Sequence, residues 1–288
     1  MTAGDEALAV AARLTGASVA GARPLGGAVF AVELADDGVV VAKRHPEPSG
    51  ATAEADGLDW LAQAGAVPVP SVYGHEGTWL VTEHVAGGRP GRSAAEDLGR
   101  GLAELHAAGA TAFGAPPSAD TTDAWIGLAP MRNEPRPDWP AWYAEFRIQP
   151  YLRRAVREGT LRSAEAEVVD RVCEHIDDLA GPAEPPARLH GDLWSGNVHW
   201  AADGRAWIMD PAAHGGHRET DLAMLQLFGC PHLDRVLAAY DESAPLAEGW
   251  RDRVPLHQLF PLLVHTVLFG GGYAGQAVAA ARKALTLR

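Results

Sequence analysis

The hydrophobic positions are spaced differently in the two parts of the chain. Ala28 to Leu34 and Val39 to Lys43 are short, apolar, β-branched runs around Asp36-Asp37-Gly38. Strand, Asp-Gly turn and strand together predict a β-hairpin. Leu25-Gly26-Gly27 supplies a flexible joint just upstream, and Ser49 is placed to cap a helix from about Ala51 to Ala64. In that helix Leu58 and Leu61 share a face and Gly65 ends it. Val67 to Val72 is punctuated by Pro68 and Pro70, and Thr78 to Val85 reads as a further strand. After Gly87-Gly88 the period lengthens. Ala94 to Ala108 sets Leu98, Leu102 and Leu105 on one helical stripe. Trp139 to Arg157 and Ser163 to Leu179 predict further helices, and Ala180 to Ala187 is a linker. Short strands flank a tight loop from His190 to Asn197, and helices resume at Glu219. The pattern divides the chain into a small β-rich lobe, residues 1–86, and a larger, mainly helical lobe, residues 87–288. A cleft between unequal lobes is where a nucleotide would bind.

Composition narrows the class. With 288 residues, 47% of them hydrophobic, the chain can bury a core in each lobe. A net charge of −13 argues against a nucleic-acid partner, because phosphate backbones are gripped by basic surfaces. Cys173 and Cys230 stand far apart, which points to a reducing compartment and no disulfide framework. Asp5 and Glu6 near the start argue against a signal peptide. Val254 to Ala281 carries no Asp, Glu, Lys or Arg. His257, Gln258, Pro261, His265 and the Gly270-Gly271-Gly272 run interrupt it, so buried helix is expected rather than a membrane span. These readings together predict a cytoplasmic protein.

The chemistry sits in Leu189-His190-Gly191-Asp192-Leu193-Trp194-Ser195-Gly196-Asn197-Val198, which has the H-x-D-x-x-x-x-N spacing of a kinase catalytic loop. Phosphoryl transfer needs a carboxylate to position an acceptor hydroxyl and relieve it of its proton, the role predicted for Asp192. It also needs oxygen ligands for Mg²⁺, which Asn197 and Asp210, at the end of Trp207-Ile208-Met209-Asp210, would supply. Pro211-Ala212 follows Asp210 where protein kinases have Phe-Gly, so no activation-loop switch of that kind is predicted. Lys43 closes a predicted strand, in the place of the lysine that reaches the ATP phosphates, and only Lys283 joins it among 24 cationic side chains. Glu54 in the next helix is its natural ion-pair partner. Gly26 and Gly27 would let backbone N–H groups approach a phosphate. Backbone groups of Glu83 and Val85, at the lobe boundary, are candidates for adenine. His190 and Asp221 are assigned supporting roles, Asp221 as a buried acceptor for catalytic-loop N–H groups. His214 and His217 have H-x-x-H spacing but no third ligand, so no metal site is predicted there. The set predicts an α+β fold of the two-lobed, protein-kinase-like kind, using ATP and Mg²⁺.

These residues resemble the fructosamine kinase (ketosamine kinase) family, within the wider group of aminoglycoside and choline phosphotransferases. The likeness rests on HGDLWSGN, on Asp210-Pro211-Ala212, and on Gly216-His217-Arg218-Glu219 followed by Asp221-Leu222-Ala223. Trp142-Tyr143 with Arg147-Ile148-Gln149-Pro150, and Phe269 to Tyr273, extend it, so that it runs from Gly26 to Tyr273. It implies that ATP phosphorylates a hydroxyl, typically O3, of a ketoamine such as a fructosamine, ribulosamine or erythrulosamine. The product is unstable and sheds its sugar, so the reaction deglycates the amine. The glycine loop lacks the cysteine that some relatives use for redox-controlled dimerisation, so that regulation is not carried over. Trp194 is expected either against a sugar face or in the core, and His265 and Tyr273 are further candidates for the acceptor pocket. Free or protein-bound ketoamines are the expected partners of a monomer or dimer. An aminoglycoside or amino-alcohol phosphotransferase is the alternative within the fold. A catalytically dead kinase-like binding module is disfavoured because Lys43, Asp192, Asn197 and Asp210 are all present.

Overall fold

In the computed structural model, which describes residues 2–119, 121 and 123–287, the alternating runs near the start form one antiparallel sheet. Its strands are β1 (Val19–Gly26), β2 (Val29–Leu34), β3 (Val39–Arg44), β4 (Val72–Glu76) and β5 (Trp79–Glu83), in the order β1-β2-β3-β5-β4. Pairing of Val32 with Val40 and of Ala42 with Val81 directs these residues into a core against helix α1 (Ala3–Thr15). Two of these elements escape the sequence pattern. Helix α1 buries only Ala7, Val10 and Ala11, a stripe too small-sided to stand out, and its N-terminus is fixed by a Thr2–Asp5 capping box. Strand β1 holds Gly21 and Pro24, which an edge strand tolerates because one side needs no ladder bonds.

Helix α2 (Pro48–Ala62) lies beside the sheet, with Ala51, Ala55 and Leu58 packed on Leu80. Ser49 does not cap it. Glu47 is the N-cap residue and makes no side-chain cap bond, Pro48 starts the helix, and Ser49 lies within the first turn.

The second lobe is built on α3 (Arg92–Ala107), whose Leu98, Leu102 and Leu105 stripe is buried as predicted. The hairpin β6 (Asp123–Ile126) and β7 (Ala129–Arg132) follows. It escapes sequence reading because each strand has four residues and Pro130 interrupts the second. The helix predicted over Trp139 to Arg157 consists of α4 (Trp139–Trp142), a π-helical stretch Tyr143–Ile148, and α5 (Gln149–Arg157). Pro150 has no N–H for the Phe146 carbonyl, so the ladder widens there, and Arg147 Nη1 approaches that carbonyl at 3.4 Å. The next predicted helix breaks at His175 into α6 (Ser163–Glu174) and α7 (Ile176–Leu179).

Four short strands then frame the chemistry: β8 (Ala187–Leu189), β9 (Val198–Trp200), β10 (Ala206–Ile208) and β11 (His214–Gly216). Strand β9 pairs with β10, and β8 with β11. Helices α8 (Glu219–Leu227), α9 (Leu233–Ser243), α10 (Trp250–His257), α11 (Leu259–Phe269) and α12 (Gly272–Ala284) complete the chain before a final 3₁₀ turn. The uncharged run from Val254 supplies Leu256, Phe260, Leu263 and Ala277 to the largest core cluster. Among the described residues no helix is long and apolar enough to cross a membrane. The architecture is the predicted one: a β-rich lobe and a helical lobe around a cleft.

Candidate active site

The two β-pairs explain how distant residues meet. The catalytic loop leaves β8 and enters β9, while Asp210 leaves β10, the partner of β9. Met209 N–H donates to Asn197 O at 3.0 Å, tying the two exits together. Gly191 adopts φ +80, and a Cβ there would lie 2.1 Å from Ala212 O, so only glycine lets the loop pass so close to the connection between β10 and β11. Asp210 itself is held at φ +57, a costly backbone state that recurs at functional positions.

Asp221 anchors the loop from below. Fully buried, it accepts the His190 and Gly191 N–H groups at 2.8 and 2.9 Å, and His106 Nε2 lies 3.2 Å away. Burial opposes its charge, but the bond and charge of His106 outweigh burial and lower its pKa. His190 is also buried, which keeps its pKa low. Its Nε2 donates to Met209 O at 3.0 Å and its Nδ1 accepts Asp192 N–H at 3.2 Å, so the neutral ring links both carboxylate-bearing segments.

Asp192 is pushed up to about 7, mainly by burial, with the charges of Asp210 and Asp221 adding to it against the Asn197 bond. Asn197 Nδ2 donates to Asp192 O at 2.8 Å and to Asp192 Oδ2 at 3.2 Å. That orientation leaves Asn197 Oδ1 as an oxygen donor, and the half-exposed Asp210 carboxylate lines the same cleft. An amide oxygen and a carboxylate suit a hard divalent cation.

Lys43 Nζ sits 2.6 Å from Glu54 Oε2 and 2.9 Å from Asp210 Oδ1, bridging the lobes. Burial alone would lower its pKa, but the two carboxylates raise it, so the ammonium is firmly charged. Glu54 is held at about 2, with Lys43 and His45 overcoming the cost of burial. His45 was not singled out by sequence reading; its Nε2 lies 3.2 Å from Glu54 Oε2.

The cleft has two sides that share Lys43, Glu54 and Asp210. The inner side is lined by Leu25, Val29, Val41, Leu58, Thr82, Glu83, His84, Val85, His199 and Met209. Of the backbone groups expected to meet adenine, the Glu83 N–H is already engaged, donating to Ser71 O at 2.9 Å. Gly26 and Gly27 form the β1–β2 turn with φ +144 and +55, but it is the flanking Leu25 and Val29 that line the cleft.

On the outer side Asp192 faces Trp125, Ile126, Leu128, Trp194, His265 and Phe269. Trp194 is 38% exposed and stands in the cleft rather than in the core. Its ring lies over Gly196, where a Cβ would come within 2.2 Å. Phe228 and His265 extend the aromatic set, with ring centroids 5.9 Å between Trp194 and Phe228 and 5.0 Å between Phe228 and His265. His265 donates from Nδ1 to Pro261 O at 2.7 Å, and burial lowers its pKa, leaving Nε2 as an acceptor. Tyr273 is not part of the wall: it sits behind His265, 5.0 Å between ring centroids. Leu128 and Phe269 are the most exposed of the large apolar residues here; Leu128 carried no sequence signal, and Phe269 entered only through the Phe269 to Tyr273 likeness.

Outside the cleft, His217 joins Glu219 and His257, with their ligand atoms within 4.8 Å of one another. Arg253 already clasps Glu219 at 2.5 and 3.0 Å, and Trp139 stacks on His257 at 4.8 Å. A guanidinium supplies the positive charge there, so the trio is a buried polar network joining α8 to α10.

The chain is similar to known proteins over most of its length. The family model for fructosamine kinase matches residues 33–287. A probable ketoamine kinase of Enterococcus faecium is 35% identical over 227 residues, 78% of this chain and 79% of its own. A chloroplastic protein-ribulosamine 3-kinase of Arabidopsis thaliana is 31% identical over 246 residues, 83% of this chain and 73% of its own. A crystal structure from Thermobifida fusca, bearing the fructosamine-3-kinase name, is 50% identical with a TM-score of 0.91 and covers 97% of this chain and 98% of its own.

Proposed function

This chain belongs to the fructosamine kinase family, and on that premise we propose that it transfers the γ-phosphoryl group of ATP to O3 of a ketoamine. The observation that carries the reading is the placement of Asp192 between an ion-paired side, Lys43–Glu54 with Asp210, and an aromatic side, Trp194, Phe269 and His265. Aromatic faces suit a sugar ring or chain with C–H groups on one side. On the described outer wall the only carboxylates are Asp192, Asp210 and Glu54, which leaves none to spare for a polycationic acceptor.

The residues then divide the work. Asp192 takes the proton of the acceptor hydroxyl as that oxygen forms its bond to phosphorus and the bond to the ADP oxygen breaks. Its pKa of about 7 suits a base working near neutrality. Lys43, held by Glu54, places a fixed positive charge against the phosphates. Asn197 Oδ1 and Asp210 would hold Mg²⁺, which when bound offsets charge on the phosphate oxygens. Trp194 and the Nε2 of His265 orient the acceptor, with Tyr273 backing His265. Once O3 carries phosphate, proton loss from C1 gives an enaminol that expels inorganic phosphate from C3, and water hydrolyses the resulting imine to free the amine and a 3-deoxy dicarbonyl sugar.

The test uses ATP, Mg²⁺ and lysine derivatives carrying fructose, ribulose or erythrulose. ADP release that depends on the ketoamine, with a new phosphomonoester signal in phosphorus NMR, is the expected result. Turnover with aminoglycosides or amino alcohols, and none with ketoamines, would overturn the substrate class.

A further inference from the structure

Helix α2 carries Glu54, so the lysine pair depends on where this helix stands. Little within it fixes that position. It has interior glycines at Gly50 and Gly57, no side-chain cap, and no acidic residue in its first turn. Each glycine weakens a helix relative to alanine, because its backbone loses more freedom on folding. Its C-terminal half leans on the other lobe, because Leu61 joins that lobe's core and a Cβ on Gly57 would touch Pro211 at 3.3 Å. Its N-terminal half has a different support, the β6–β7 hairpin.

Trp125 Nε1 on β6 donates to Ser49 Oγ at 3.1 Å, and Thr121 Oγ1, just before β6, donates to Asp56 Oδ2. Ser49 and Asp56 are seven residues apart, two helical turns, so both bonds grip one face of α2 and bracket Glu54. The hairpin is in turn fastened to the helical lobe. Tyr151 OH donates to Pro130 O at 2.9 Å. Arg147, buried and bonded to no carboxylate among the described residues, donates to Arg132 O at 2.8 Å and Asn133 Oδ1 at 2.7 Å. Trp125 and the Gly127-Leu128 turn also line the outer side of the cleft.

We propose that the β6–β7 hairpin is a strap by which the helical lobe holds α2 in the position that keeps Glu54 on Lys43, with Ser49, Trp125, Thr121 and Asp56 as positioning residues for nucleotide binding. An acceptor seated against Trp125 and Leu128 presses on the same strap, so nucleotide and acceptor bind with positive coupling. The coupling rests on the kinase reading above, whereas the effect on nucleotide affinity requires only that ATP binds beside Lys43.

Ser49 lines neither side of the cleft, which makes Ser49→Ala the clean probe. The experiment measures Kd for ATP with Mg²⁺ by calorimetry, together with KM for ATP, KM for the acceptor, and melting temperature. The variants are Ser49→Ala, Trp125→Phe, their double, and Ser49→Thr. Loss of one hydrogen bond of about 1 kcal/mol gives a rise of roughly 3- to 10-fold in Kd for ATP in each single variant. The double variant is no weaker than the worse single, since both remove the same bond. Ser49→Thr, which keeps the hydroxyl, restores affinity. Unchanged ATP affinity in Ser49→Ala, or effects that simply add in the double variant, would overturn the strap. A fall in melting temperature without a change in Kd would assign these contacts to folding alone and overturn it equally. Failure of ketoamines as acceptors leaves the ATP arm readable, so the two readings fail separately.

Discussion

The two sides of the cleft are built on different physics. On the inner, ion-paired side charged groups fix one another: Lys43 is shared by Glu54 and Asp210, and Asp221 holds the catalytic loop. On the outer side aromatic and aliphatic groups from three separate segments, Trp125–Leu128, Trp194 and His265–Phe269, meet only in three dimensions, with Phe228 packed on Trp194 and His265. Discrete bonds give the first side its geometry, whereas the second is shaped by packing and contact area. One side should therefore fail abruptly on substitution, and the other by degrees.

The largest effect is expected at Asp192. Asp192→Asn should lower kcat by about 10³-fold, in keeping with loss of a general base. The same variant separates charge from fold. In the native state the Asp192 pKa is raised to about 7, above its unfolded value, so the folded protein holds a proton that the unfolded chain has released. That favours the native state at low pH and penalises it as pH rises through about 4 to 7. Asp192→Asn removes the penalty. Its melting temperature should exceed wild type at about pH 8, by the equivalent of up to roughly 4 kcal/mol, and match it near pH 4. A uniform loss of stability at both pH values would show that Asp192 holds the loop together instead of straining it.

Lys43→Met comes next. It leaves Glu54 buried without its ammonium, and breaking such a pair costs roughly 3 kcal/mol. Stability by urea titration should fall, and KM for ATP should rise far more than KM for the acceptor. Equal changes in the two constants would erase the division between the sides.

On the acceptor side the effects are graded. Phe269→Ala and Trp194→Ala should each raise acceptor KM by about 10-fold, the worth of one aromatic contact, with KM for ATP within about twofold of wild type. Steady-state kinetics in both substrates reads this directly. The smallest change is expected for Tyr273→Phe. Tyr273 sits behind His265 and not on the wall, so acceptor KM should move by less than about twofold. A tenfold change would extend the acceptor wall to α12.

How much was legible in the sequence follows the same division. Asp192, Asn197, Asp210 and Lys43 stand out in the chain because spacing within one loop, and position at the end of a strand, are local properties. The two lobes were also legible, since the hydrophobic period changes from strand-like to helical after Gly87-Gly88. Local rules failed where a long-range contact outweighed propensity. Ser49 looks like a cap, yet Pro48 starts the helix one residue earlier and the hydroxyl meets Trp125, 76 residues away. The β6–β7 hairpin has too few residues for a clear pattern and is held instead by Arg147 and Tyr151 from the helical lobe. Sequence alone determined which chemical groups would be available, because residue identity and short spacings are written along the chain. Tertiary structure alone decided which apolar residues meet on the outer side of the cleft, how far burial raises Asp192, and which contacts α2 makes with the helical lobe. Each of these depends on groups brought together from distant segments, and neither burial nor proximity is encoded at any single position.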